Sequence, residues 1–93
     1  MTDFVWDPAK ATSNLAKHGV SFSSAQSVFD DPNALLEVDD TVPFEDRWRT
    51  IGMTPAGILF VVSTEPEDNT IRIISARKVN RHEQNRYLRQ ALP

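Results

Sequence analysis

Apolar residues recur at helical spacing at both ends of the chain and alternate with polar ones between them. A short apolar run at 4–6 has the length of an edge strand. Asp7-Pro8 then reads as an N-cap followed by proline at the first helical position, where a missing N–H costs nothing. That helix reaches Lys17-His18, and Gly19 supplies the left-handed residue that stops it. Phe22, Ala25, Val28 and Phe29 share one face of a second short helix, for which Ser23 and Gln26 have capping-box spacing. Asp30-Asp31-Pro32-Asn33 closes the resulting αα-hairpin with turn chemistry.

The alternating stretch predicts four strands. Residues 34–39 make a weak one and 46–53 a second, built around Trp48. The turn Thr54-Pro55-Ala56-Gly57 leads to 58–64, the most apolar run and therefore the central strand. A loop over 65–69 precedes a strand from Thr70 to Ala76. Short connections make this an antiparallel meander. Asn80, with Glu83 three residues on, forms a capping box for a last helix whose apolar stripe is Leu88, Ala91 and Leu92. The fold class is α+β: short N-terminal strand, αα-hairpin, four-stranded antiparallel sheet and C-terminal helix, in one domain over 1–93.

Charge divides this outline in two. Residues 70–93 carry six bases and one acid, +5, whereas residues 1–69 carry four bases and twelve acids, −8. A strand handing over to a helix with positive charge at the joint suits phosphates. Without cysteine there is no disulfide or thiolate chemistry. No run is apolar for ~18 residues and the N-terminus lacks a signal-peptide pattern, so the expectation is a cytoplasmic protein without membrane contact. No set of paired metal ligands, glycine-rich phosphate loop or nucleophile elbow occurs, and no metal or cofactor is expected.

Several side chains could do chemistry, each beside a plainer role. His18 could serve as general acid or base, or could simply complement the negative end of its helix. Glu45 could accept a 2′-hydroxyl proton and Arg47 could stabilise a pentacoordinate phosphate; alternatively they form a cross-strand ion pair. Arg49 shares a sheet face with Arg47. Arg72 and Arg77 are five apart and nominally on opposite faces unless the strand bulges, so Arg77, beside Lys78 and a helix start, is the better phosphate ligand. Tyr87 could stack on a base or pack half-buried beside Leu88. Arg86 and Arg89 form a solvated face that at most steers RNA, and His82 is a surface residue.

Taken together, Phe4-Val5-Trp6-Asp7-Pro8-Ala9-Lys10, Asn14-Leu15-Ala16-Lys17-His18-Gly19-Val20-Ser21-Phe22, Val28-Phe29-Asp30-Asp31-Pro32, Glu45-Asp46-Arg47, Gly52 and Arg72-Ile73-Ile74-Ser75-Ala76-Arg77 resemble the BrnT family of type II toxins. The likeness continues through Arg81, Glu83 and Tyr87. Asp46 departs from it as an extra acid between the usual pair.

The resemblance implies a RelE-like fold and a metal-independent endoribonuclease that inhibits translation. It also implies neutralisation by a BrnA-like antitoxin, through which the complex binds promoter DNA. Lys17, His18, Glu45, Arg47, Arg77 and Tyr87 are the matching positions. The expected catalytic set is His18, Glu45, Arg47, Arg77 and Tyr87, with Lys17, Arg49, Lys78, Arg81 and Arg86 on the RNA. The rival reading is a non-catalytic acidic module or transcriptional co-regulator that acts through a partner. Direct DNA binding fits less well, since the chain is acidic and lacks a helix-turn-helix signature.

Overall fold

The computed structural model describes residues 1–41, 43 and 45–91. After β1 (Asp3–Val5), the first helix forms as its end signals require: in α1 (Pro8–His18) the Asp7 carboxylate accepts the Ala9 N–H at 2.9 Å. At the other end Gly19, at φ 69°, donates its N–H to the Leu15 carbonyl at 2.9 Å. The next helix starts earlier than the Ser23 spacing suggests. Ser21 is the cap, accepting the Ser24 N–H, so Phe22 opens α2 (Phe22–Ala25) with its ring buried. From Gln26 to Asp30 the turn tightens to a 3-10 helix.

Four strands follow: β2 (Leu35–Asp39), β3 (Arg47–Thr54), β4 (Gly57–Glu67) and β5 (Thr70–Lys78). They form the expected antiparallel meander with β4 in the middle. Between β3 and β4 the Thr54 hydroxyl donates to the Gly57 carbonyl at 2.9 Å, and Gly57 takes φ 110°. The loop expected over 65–69 shrinks to Asp68-Asn69, with Asn69 at φ 62°.

The sheet has five strands, however, and it is mixed. β1 pairs in parallel with β5, Phe4 opposite Ile71 and Val5 opposite Arg72. Two aromatic contacts anchor so short a strand: Phe4 on Phe29, centroids 5.4 Å apart, and Trp6 edge-on to Phe22 at 6.0 Å. The four-stranded antiparallel expectation is corrected accordingly.

One face of the sheet carries α1, α2 and the 3-10 turn. Val20, Phe22, Ala25 and Val28 close over Leu59, Val61, Ile73 and Ala76 in a continuous core. Gly52 lets the turn sit directly on β3, since a Cβ there would come within 3.0 Å of the Val28 carbonyl oxygen. The last helix, α3 (Arg81–Ala91), contacts β3 on its way past the sheet and shows its capping box: Asn80 Oδ1 accepts the Glu83 N–H, and Glu83 Oε1 accepts the Asn80 N–H. Its buried positions are Glu83 and Tyr87, while Leu88 and Ala91 of the expected stripe are only half-buried; Leu92 lies outside the described residues.

Candidate nucleic-acid interface

The side chains of β4 alternate between the faces of the sheet: Leu59, Val61 and Ser63 lie with the helical core, Phe60, Val62 and Thr64 away from it. Antiparallel partners share a face. Phe60 therefore puts Arg77 on the outer side, and Val62 does the same for Ser75 and Arg49. Arg47, two residues before Arg49, follows it.

Arg72 is the surprise. Its five-residue separation from Arg77 would place it on the core side of a regular strand, but Ile73 pairs with Ser63 and Ser75 with Val62, leaving Ile74 as an extra bulged residue. Arg72 then pairs with Thr64 and turns outward. Four arginines from two strands, Arg47, Arg49, Arg72 and Arg77, thus share one face. By sheet spacing the Cα atoms of Arg47 and Arg77 lie on the order of 17 Å apart.

Their surroundings differ. Arg77 lies over the Phe60 ring, 4.1 Å from its centroid, and grips Glu83 with both terminal nitrogens at 2.8 and 2.9 Å. That pairing holds the Glu83 carboxyl below its usual range, and it raises the Arg77 guanidinium above its own. Arg47 reaches Glu45 at 3.1 Å along its own chain, rather than pairing with a carboxylate on the facing strand. Arg49 donates to the Val38 carbonyl at 3.4 Å. The Nε of Arg47 and of Arg49 is buried with no acceptor among the described residues, a state that an anion would relieve. Asp39, opposite Arg47 in register, takes the Thr41 hydroxyl at 2.7 Å and the Thr41 N–H at 3.1 Å; these bonds, helped by Arg49 and Arg47, hold its carboxyl low.

Other expected site residues lie elsewhere. The Tyr87 ring is 3 % exposed and its hydroxyl donates to Asp31, so it packs in the interior rather than presenting itself to a base. Burial, followed by the Asp31 bond, pushes the phenol up to about 12. Arg86, by contrast, reaches the arginine face itself: it pairs at 2.9 Å with Glu37, the cross-strand neighbour of Arg49, and pins α3 to β2. Lys78 points to the opposite side from Arg77, lining a cleft with Met53 and Gln84, and Arg81 is exposed at the start of α3. Lys17 and His18 line a cleft between α1 and β5 together with Ser75.

Sequence reasoning passed over Asn14 and Asp31. The Asn14 amide is buried against the Ala76 backbone. Burial raises the Asp31 carboxyl, but N–H bonds from Met53 and Asn33 and the Tyr87 hydroxyl outweigh it and leave the group low. The turn chemistry of Asp30-Asp31-Pro32-Asn33 marked the turn, but nothing in the sequence pointed to a bond 56 residues away. Among the described residues no group of three or more His, Asp or Glu side chains is arranged to hold a metal, and no helix is long and apolar enough to cross a membrane.

Comparison with known proteins matches residues 6–83 to the family described as ribonuclease toxin, BrnT, of type II toxin–antitoxin systems. Among solved structures, the Brucella abortus ribonuclease toxin BrnT superposes with a TM-score of 0.70 at 23 % identity. The match covers 87 % of this chain and all of that one, a likeness of fold. No curated protein sequence matches.

Proposed function

The chain belongs to the BrnT family of type II toxin–antitoxin ribonuclease toxins, and from that premise we propose a metal-independent endoribonuclease that works from the arginine face of the sheet. The observation that carries this is the convergence of Arg47, Arg49, Arg72 and Arg77 on one surface, with two buried Nε donors that have no acceptor among the described residues. In fold the proposal is a RelE-like toxin whose meander gains β1 as an added edge strand.

The reaction needs no group that the chain lacks. A ribose 2′-oxygen attacks the adjacent phosphorus, the P–O5′ bond breaks, and a 2′,3′-cyclic phosphate and a 5′-hydroxyl result. Of the two candidate bases, Glu45, paired with Arg47, accepts the 2′-hydroxyl proton, since His18 lies in the cleft between α1 and β5; a protonated side chain or water returns one to the leaving oxygen. Arg47 and Arg77 stabilise charge on the phosphorane. For Arg77 this requires the phosphate to compete with Glu83, so Glu83 sets how readily the guanidinium is released. The same proposal gives the protein a BrnA-like antitoxin as partner, promoter DNA bound through that antitoxin, RNA as substrate and the cytoplasm as its place of action.

The test is purified protein incubated with cellular RNA in excess chelator, alongside growth inhibition on expression. Arg47→Ala and Arg77→Ala should relieve toxicity while antitoxin capture persists. Because Arg77→Ala strands a buried carboxylate, Arg47→Ala is the cleaner variant. RNA left intact at high protein concentration would overturn the reading. It would favour a non-catalytic acidic module or co-regulator, a rival with one observation behind it: Arg47, Arg77 and Arg86 are all engaged in internal ion pairs.

A further inference from the structure

β1 covers β5 only as far as Arg72, and past Val5 the outer edge of β5 has no neighbouring strand among the described residues. α1 crosses that edge, with Asn14 bonded to both backbone groups of Ala76. A cleft of about 360 Å³ between the start of α1 and β5 is lined by Trp6, Asp7, Lys10, Arg72 and Ile74. A second, of about 210 Å³, is lined by Lys10, Ser13, Lys17, His18, Ile74 and Ser75. The two share Lys10 and Ile74 and so form one groove.

Its charge is out of keeping with the part of the chain that builds it. Residues 1–69 hold only four bases. Arg47 and Arg49 are on the arginine face, and the other two, Lys10 and Lys17, both line this groove. Seven residues apart on α1, they are separated by about 10 Å along the helix. Among the described residues neither lysine, nor Arg72, is in an ion pair, unlike Arg47, Arg77 and Arg86. Among the described residues Asp7 is the one carboxylate lining it, and it is engaged as the cap of α1. Arg72 belongs to both surfaces. It faces outward beside Thr64 and also lines the groove, so the arginine face continues around the sheet edge. Trp6 and Ile74 supply apolar wall, and Ser13 and Ser75 supply hydroxyls.

We propose that this groove holds the RNA strand beyond the scissile phosphate, with Lys10, Lys17 and Arg72 each taking a phosphate. The inference rests on the ribonuclease reading and adds a substrate track to it. A track contributes uniform binding, so its loss raises KM and leaves kcat unchanged.

The experiment uses a fluorescently labelled single-stranded RNA with 2′-O-methyl riboses, which binds but is not cut, titrated by anisotropy over a range of salt. Lys10→Ala, Lys17→Ala and Arg72→Ala should each weaken binding several-fold. Each should also reduce the magnitude of the salt slope by roughly 0.7, the counterion released per contact on a single strand. With the 2′-hydroxyl RNA, Lys10→Ala should raise KM without lowering kcat. Asp30→Asn, exposed at the end of the 3-10 turn, serves as the charge control and should match wild type. If wild type cleaves RNA but the Lys10→Ala/Lys17→Ala protein binds with unchanged affinity and slope, the track is wrong and the ribonuclease reading stands. The track is equally wrong if that double variant loses only antitoxin affinity, since the groove would then be a protein interface. Wild type that neither binds nor cleaves RNA overturns both.

Discussion

The side-chain amide of Asn14 donates to the Ala76 carbonyl at 2.8 Å and the Val20 carbonyl at 3.0 Å, and accepts the Ala76 N–H at 3.1 Å. It gives the edge of β5 the pairing a strand would have given. Asn14→Leu keeps comparable bulk but strands an N–H and two carbonyls in the interior, at about 1–3 kcal/mol for each group left without a partner. Urea unfolding should show a loss on the order of 3 kcal/mol, while Leu15→Ala, one position along and half-exposed, should change little. None of this was legible beforehand. A polar residue within an amphipathic helix reads as solvent-facing, and its partner is 62 residues away. Asp7, Gly19 and the Asn80–Glu83 box were legible because each acts on backbone within a few residues. Ser21 displaced Ser23 as a cap for a packing reason: it makes Phe22 the first helical residue, with its ring in the core.

Polar contacts tie α3 both to the sheet and to the turn before β2. Glu83 holds Arg77, Glu37 holds Arg86, Asp31 takes the Tyr87 hydroxyl, and the Gln90 amide donates to the Asn33 carbonyl at 3.3 Å. The folded Glu83 and Asp31 carboxyls both sit below their ordinary values of 4.5 and 3.8. Groups lowered in this way contribute stability that is complete above those ordinary values and is lost as pH falls through the folded ones. Hydrogen-exchange protection of the α3 amides should therefore drop below about pH 4, ahead of the β4 amides, and Glu83→Gln should flatten the dependence. Equal loss across both elements would show that apolar packing holds the helix after all. Both the helix and its cap could be read from sequence. Its inward face could not, because the apolar stripe pointed to Leu88 and Ala91 where the structure buries Tyr87 and Glu83.

Across the whole molecule, the division of charge seen along the chain is rearranged in space. The four bases of the acidic part lie beside those of the basic end, Arg47 and Arg49 with Arg72 and Arg77 on the sheet, Lys10 and Lys17 with Arg72 at its edge. Antiparallel order and a central β4 followed from strand spacing. The parallel β1 and the placement of Arg72 did not, because a three-residue strand carries almost no pattern and a bulge leaves none. That bulge also means β5 is one residue longer than its partner requires. Removing Ile74 would leave Arg72 opposite Thr64 and Arg77 opposite Phe60, with no change of phase on either side of the gap. A protein lacking Ile74 should fold and keep its arginine face, with some weakening of the groove it lined. Loss of Val61 would instead put β4 out of phase with β3, where the register runs without a bulge, and should abolish the cooperative thermal transition. Chain length at this one point is therefore free to vary by a residue while every guanidinium stays where it was.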